Sequence, residues 1–153
     1  MMKNMKFVKA PILIFSFVLL VCHVALGLPD TYSRKLDEFK GANWEEAMAR
    51  LDNFDIALKQ EPTSIGVLIV YGGRRGRRGE AQAWRRCLKD YMVNRRGIRA
   101  DRIVVVNGGY LDISTVELWQ SVSKEHIPMP GYTSKNVRFR RGKIKNWRSL
   151  CNI

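Results

Sequence analysis

A chain of 153 residues, 46% of them hydrophobic, suits one domain with a modest core. Its 27 Lys and Arg against 14 Asp and Glu give a formal charge of +13, which acts on partners and not on topology, because a long-range positive potential gathers polyanions. Three cysteines and two histidines are too few for a disulfide-built scaffold, and no Cys/His spacing matches a zinc site.

Residues 1–27 place Lys3, Lys6 and Lys9 ahead of an apolar run from Ala10 to Val21 and end on Ala25-Leu26-Gly27. This is the pattern of a secretory signal peptide cut after Gly27. An uncleaved anchor fits less well, since a span needs about 20 consecutive apolar residues and His23 interrupts this one. The expectation is therefore a secreted or periplasmic protein with no transmembrane helix after cleavage, comprising a domain over residues 28–122 and a basic C-terminal extension over 123–153. Its charge is lopsided. Residues 28–70 carry 5 Lys and Arg against 8 Asp and Glu, whereas residues 71–153 carry 19 against 6.

Asn43 precedes Glu46 by three residues, a capping arrangement for a helix start. Trp44, Ala47, Met48, Leu51, Phe54, Ala57 and Leu58 then recur at helical spacing, predicting an amphipathic helix to about Lys59, stopped by Pro62. An edge strand is expected before it, around residues 32–39. Ile65 to Tyr71 is β-branched and nearly continuous, as in a strand covered on both faces. Ala81, Trp84, Cys87, Leu88, Tyr91 and Met92 mark a second helix, with Gly97-Ile98 as its C-terminal stop. Ile103 to Val106 predicts another buried strand, Asn107-Gly108-Gly109 a turn, and Thr115 to Trp119 an alternating strand. In the tail, Val137, Phe139, Ile144 and Trp147 interleave with basic residues. That composition suits an extra strand, a membrane-surface patch, a polyanion contact or a solvated terminus.

Cys87 and Cys151 remain after removal of the leader. In an oxidising compartment one bridge would pin the C-terminal end to the second helix; the alternative is two free thiols, and the sequence does not give the separation that decides. Trp84 presents a similar choice between a core position, whose face it shares with Ala81, Leu88 and Tyr91, and an exposed platform for a sugar ring.

Between the first long strand and the second helix lies YGGRRGRRGEAQAW, residues 71–84. A strand, a glycine-rich turn and a helix start in that order direct free amides and the positive end of the helix dipole into one space. Arg74, Arg75, Arg77 and Arg78, with Arg85 and Arg86 in the helix, add bidentate donors for phosphate or carboxylate. Nucleotide motifs fail: no Lys-Ser or Lys-Thr completes a P-loop, and Gly73, Gly76 and Gly79 are spaced by threes, unlike GxGxxG. A GxxG clamp for RNA joins two helices, whereas this one leaves a strand. No cofactor is expected. Nor is catalysis, since His126 is the one histidine past the leader and no serine sits in a glycine elbow.

The stretch from Ala47 to Trp119 resembles the OmpA-like C-terminal domain, through its proline-stopped helix, its glycine-ended strand, Asp90-Tyr91-Met92-Val93 followed by Gly97-Ile98, and Arg102-Ile103-Val104. It is most similar to an uncharacterised secreted branch with a RLDNF helix, here Arg50 to Phe54, and a VYGGRRGR loop, here Val70 to Arg77. The resemblance implies an α+β fold, a two-layer βαβ sandwich with helices on one face of a small mixed sheet, in the cell envelope or at the outer membrane. It also implies peptidoglycan as a possible partner, bound in that family through an Asp after the strand and an Arg in the next helix. Those two positions align with Arg75 and Trp84, and a guanidinium repels the diaminopimelate ammonium that an Asp would hold. Glu80 is the one close carboxylate. The expected function is accordingly a non-catalytic, exported envelope-binding domain whose Arg74, Arg75, Arg77, Arg78, Arg85 and Arg86 hold an anionic envelope polymer. The alternatives are nonspecific extracellular nucleic-acid binding, with Trp147, Phe139 and Tyr132 as stacking platforms, and a structural scaffold that has lost the peptidoglycan site.

Overall fold

Asn43 opens helix α1 (Trp44–Gln60), its side-chain oxygen accepting from the Glu46 amide at 2.8 Å. Glu46 spends its own carboxylate on Arg50, one turn on, at 3.1 Å. The face carrying Trp44, Ala47, Leu51, Phe54 and Leu58 is buried, as the spacing predicts. At the other end the guanidinium of Arg102 closes the helix. Its Nη2 donates to the Leu58 and Glu61 carbonyls at 2.8 and 3.0 Å and its Nε to that of Ser64 at 2.9 Å. A cation is favoured at a helix C-terminus and each charged hydrogen bond there is strong. Arg102→Met is therefore expected to lower the unfolding free energy by about 2–3 kcal/mol in urea denaturation, with Arg102→Lys losing less; equal midpoints for Met and wild type would refute this capping role.

This computed structural model describes residues 32–131 and 133–151; the leader pattern, Tyr132 and the last two residues lie outside them. Strands β1 (Ser33–Lys40), β2 (Ile65–Gly73), β4 (Ile103–Leu111) and β5 (Thr115–Ser121) form one mixed sheet in the order β1-β5-β2-β4. β2 pairs parallel with β4 and antiparallel with β5, and β5 antiparallel with β1. The predicted edge strand is β1, and the strand expected to be covered on both faces is β2, buried from Gly66 to Gly72 and central in the sheet. A two-residue strand β3 (Arg77–Arg78) and a four-residue strand β6 (Arg140–Lys143) pair parallel as a separate ribbon. Among the described residues no helix is long and apolar enough to cross a membrane.

Helix α2 (Glu80–Asp90) runs on through one wide turn, Tyr91–Arg95, and stops at Gly97, whose φ of +74° lets the Ile98 amide reach back to the Met92 carbonyl at 3.0 Å. Both helices lie on one face of the sheet, where Leu51, Phe54, Leu58, Leu88 and Met92 pack on Leu68, Val70 and Leu118. Trp84 joins this core, its ring 5.9 Å from that of Trp44. Tyr91 stands edge-on to Trp44 and donates to Asp52 at 2.6 Å; burial, and then that carboxylate, raise its pKa above 10.0. The opposite face of the sheet holds Val67, Ile69 and Tyr71, bordered by Val104, Val106, Trp119 and Ile127.

One predicted turn is displaced. Asn107-Gly108-Gly109 lies inside β4 as a bulge opposite Val70 and Tyr71, and the chain reverses later, at residues 112–114. The cause is tertiary: Gly108 backs onto the buried Tyr71 ring so closely that a Cβ there would lie 2.5 Å from it. Glycine is required for that approach and not for a hairpin.

The tail does not project. Past β5 its Gly131 amide donates to the Tyr71 hydroxyl at 3.1 Å and its Ser134 amide to the Tyr110 carbonyl at 2.7 Å. It then runs beside the Gly/Arg loop, with Arg138, Arg140 and Ile144 amides bonded to the carbonyls of Arg74, Gly76 and Arg78. A bridge between Cys87 and Cys151, Cα atoms 6.0 Å apart, fastens the end to α2 and decides the cysteine question.

A candidate polyanion-binding surface

The turn between β2 and α2 is built from its glycines and from one carboxylate. The Gly76 amide closes back on the Gly73 carbonyl at 2.8 Å, and Gly79, at φ +84°, begins α2 without a side-chain cap. Glu80 then serves the start of the helix, its Oε2 accepting from the Arg77 amide at 2.6 Å and standing 3.9 Å from Arg77 Nε. The positive end of the helix, where the sequence places an anion, thus already faces a carboxylate of the chain itself.

The six arginines singled out from sequence fall into three places. Arg74 and Arg75 line a cavity of about 430 Å³ whose other walls come from the tail: Lys135, Asn136, Val137 and Arg138. Arg74 also meets Asp112 at 3.0 Å, a pair open to water and so of small energy. Arg77 and Arg78 lie exposed on β3 with Arg140 and Lys143 of β6 as their register partners. Like charges set directly across a ladder repel, so this ribbon gains whenever an anion joins it. Arg78 also rests over Phe139, 5.6 Å from its ring centre, and Phe139 meets Tyr110 edge-on at 5.7 Å.

Arg85 and Arg86 occupy the third place, an open cavity of about 580 Å³ along α2 that reaches Lys89, Asp90, Val93 and Trp147. Arg85 donates to Asn107 at 2.7 Å. A neighbouring cavity of about 300 Å³ shares Gln82, Arg86 and Trp147 with it and adds Lys143 and Lys145 from the tail. The two form one groove, from the ribbon to the far end of α2.

Among the described residues, no acid of the front half forms an ion pair with these cations. Asp37 and Glu46 pair with Arg50, Glu61 with Arg34, and Asp52 and Asp55 with Arg96. Glu38 is held below the ordinary carboxyl range by Lys35 first and then Lys40, so it too is committed.

Of the two positions aligned with the family's peptidoglycan pair, Arg75 is exposed at the first cavity and Trp84 belongs to the core. The core reading of Trp84 therefore holds over the sugar platform. Sequence reasoning missed Lys135, Arg138, Lys143 and Lys145 as neighbours of the loop. The one available signal was Cys87 with Cys151, whose pairing obliges the tail to return past α2. No protein-family model matches the chain, no curated protein matches it and no solved structure matches it.

Proposed function

We propose that this protein is a non-catalytic, exported binding domain of OmpA-like descent that holds an anionic polymer of the cell envelope. The observation that carries this reading is the cavity where loop and tail set Arg74, Arg75, Lys135 and Arg138 around one space. Three guanidinium forks and an ammonium suit carboxylate or phosphate groups. The leader pattern of residues 1–27 supports export. The β-α-β-α-β-β order of the main elements, with a parallel β2/β4 pair and helices on one face, supports the OmpA-like kinship. His126 serves a structural end, its Nδ1 2.9 Å from the Ser123 hydroxyl that caps its own short turn.

Nucleic acid is the weaker partner on this reading. Stacking needs free aromatic faces, and the two described candidates are engaged: Arg148 lies 4.8 Å over Trp147, and Phe139 is held by Arg78 and Tyr110.

Sedimentation of the purified protein with insoluble envelope fractions, across a salt series, tests the proposal. Exposed charge pairs contribute roughly 0.5 kcal/mol each, so R74Q/R75Q/K135Q/R138Q should bind about 30-fold more weakly at low salt. Its plot of log affinity against log salt should also be shallower by about 3. Unchanged binding by the variant would refute the site. Binding to single-stranded DNA, with no binding to envelope material, would refute the ligand class.

A further inference from the structure

Resting on that reading, we infer that the ligand is a single linear acidic glycan, and that the α2 groove is a second binding segment continuous with the loop cavity. The first cavity, the β3/β6 ribbon and the groove follow one another along the surface. The tail pairs with the loop from Arg74 through Gly76 to Arg78, and Lys143 and Lys145 then hand over to Gln82 and Arg86 at the start of the groove. Strand rise along the loop and helix rise from Gln82 to Val93 give a track on the order of 25 Å. A small ion fills one cavity; only a chain can use all three.

The lining chooses among chains. A double helix, about 20 Å across on the scale of its grooves, does not enter a groove set between one helix and one strap of tail. Single-stranded nucleic acid would rely on stacking faces that Trp147 and Phe139 do not offer. The groove also contains Asp90, which accepts from Asn94 at 2.8 Å and lies among Arg85, Arg86 and Lys89. That carboxylate repels a chain with a charge on every unit but accepts hydrogen bonds from hydroxyls. With the amides of Gln82, Asn94 and Asn136 it fits a polymer whose charges are separated by hydroxyl-bearing units. Val93 and Val105 give the groove an apolar floor for the carbon face of a sugar.

Calorimetric titration with size-defined hyaluronan oligosaccharides, whose carboxylates fall on every second sugar, from disaccharide to dodecasaccharide, tests both parts. Affinity should rise at least tenfold over the series as chains leave the first cavity and reach the groove, because the second contact becomes intramolecular. R85Q/R86Q/K89Q should abolish that gain while leaving disaccharide binding as in the wild type, which separates the groove from the extra registers that any long chain gains. A long chain no tighter than the disaccharide, or a gain that survives in R85Q/R86Q/K89Q, would overturn the inference and leave the proposed function standing. Single-stranded DNA of matched charge binding more tightly than the dodecasaccharide would overturn the glycan assignment. Loss of every interaction in low salt, disaccharide included, would instead remove the proposed function itself. Thermal melts of each variant report whether the fold is intact.

Discussion

Replacing Cys87 and Cys151 together with Ala should remove about 4 kcal/mol of stability, by the loop-closure entropy of a bridge spanning 64 residues, and should dismantle the anion cavity as well. The size of the first effect comes from the unfolded chain. The bridge shortens a long closed segment that includes β4, β5 and the whole tail, and every conformation it denies to the unfolded state favours the folded one. In a domain of this length that loss corresponds to a fall in Tm on the order of 15 °C. The second effect comes from how little else holds the tail. Between residues 123 and 151 its described residues form a four-residue strand and two short 3-10 turns, Lys124–His126 and Trp147–Leu150. Such pieces do not persist alone, and segments with few buried apolar contacts open first. Freed from α2, the tail would carry Lys135 and Arg138 away from Arg74 and Arg75. The variant should therefore resemble R74Q/R75Q/K135Q/R138Q in the salt series while also melting lower. Wild type in reducing buffer should match it by both measures. A C87A/C151A protein that keeps envelope binding at full strength would show that the tail is held by its backbone pairing with the loop.

The elements legible in sequence were those whose signal is periodic and local. Helix α1 and the central strand β2 begin where the apolar spacing begins, and Gly97 ends the second helix because a left-handed residue is needed there whatever the surroundings. What was not legible depends on partners distant in the chain. Asn107-Gly108-Gly109 has the composition of a turn, yet the ring of Tyr71 makes it a bulge. The tail has no period of its own, because each part of it is shaped by something else: the sheet face, the loop carbonyls, then α2. The candidate site divides in the same way. Its six arginines stand out in the composition of two short stretches, but whether they converge depends on the tail and on Glu80. The sequence suggests one socket at the start of α2; Glu80 takes that position, and the cations spread along a track.

The other large effect is expected at Arg96. Asp55 is buried, with 2% of its side chain exposed, yet it carries a charge shared by Lys59 at 2.8 Å and by Arg96 at 3.3 Å; Arg96 also reaches Asp52 at 3.3 Å. The two cations are not equivalent. Lys59 is 57% exposed and extends from solvent, whereas Arg96 is 31% exposed and bridges α1 to the end of α2. One oxygen of Asp55 and the Nε of Arg96 are buried without a hydrogen bond, so the site rests on charge attraction more than on geometry. Removing one partner of a buried pair costs about 3–5 kcal/mol when the other charge is left uncompensated, and Asp55 without Arg96 would keep Lys59 alone, which places the loss at the lower end; removing both with apolar replacements is far less harmful. Arg96→Met should thus lower the unfolding free energy by about 3 kcal/mol, and Asp55→Leu/Arg96→Met should recover a large part of that loss. Urea denaturation of wild type, the two single variants and the double variant gives the coupling directly. Additive losses would mean that Arg96 acts through packing alone, and that the two helices are joined by the Trp44, Trp84 and Tyr91 cluster without help from this charge.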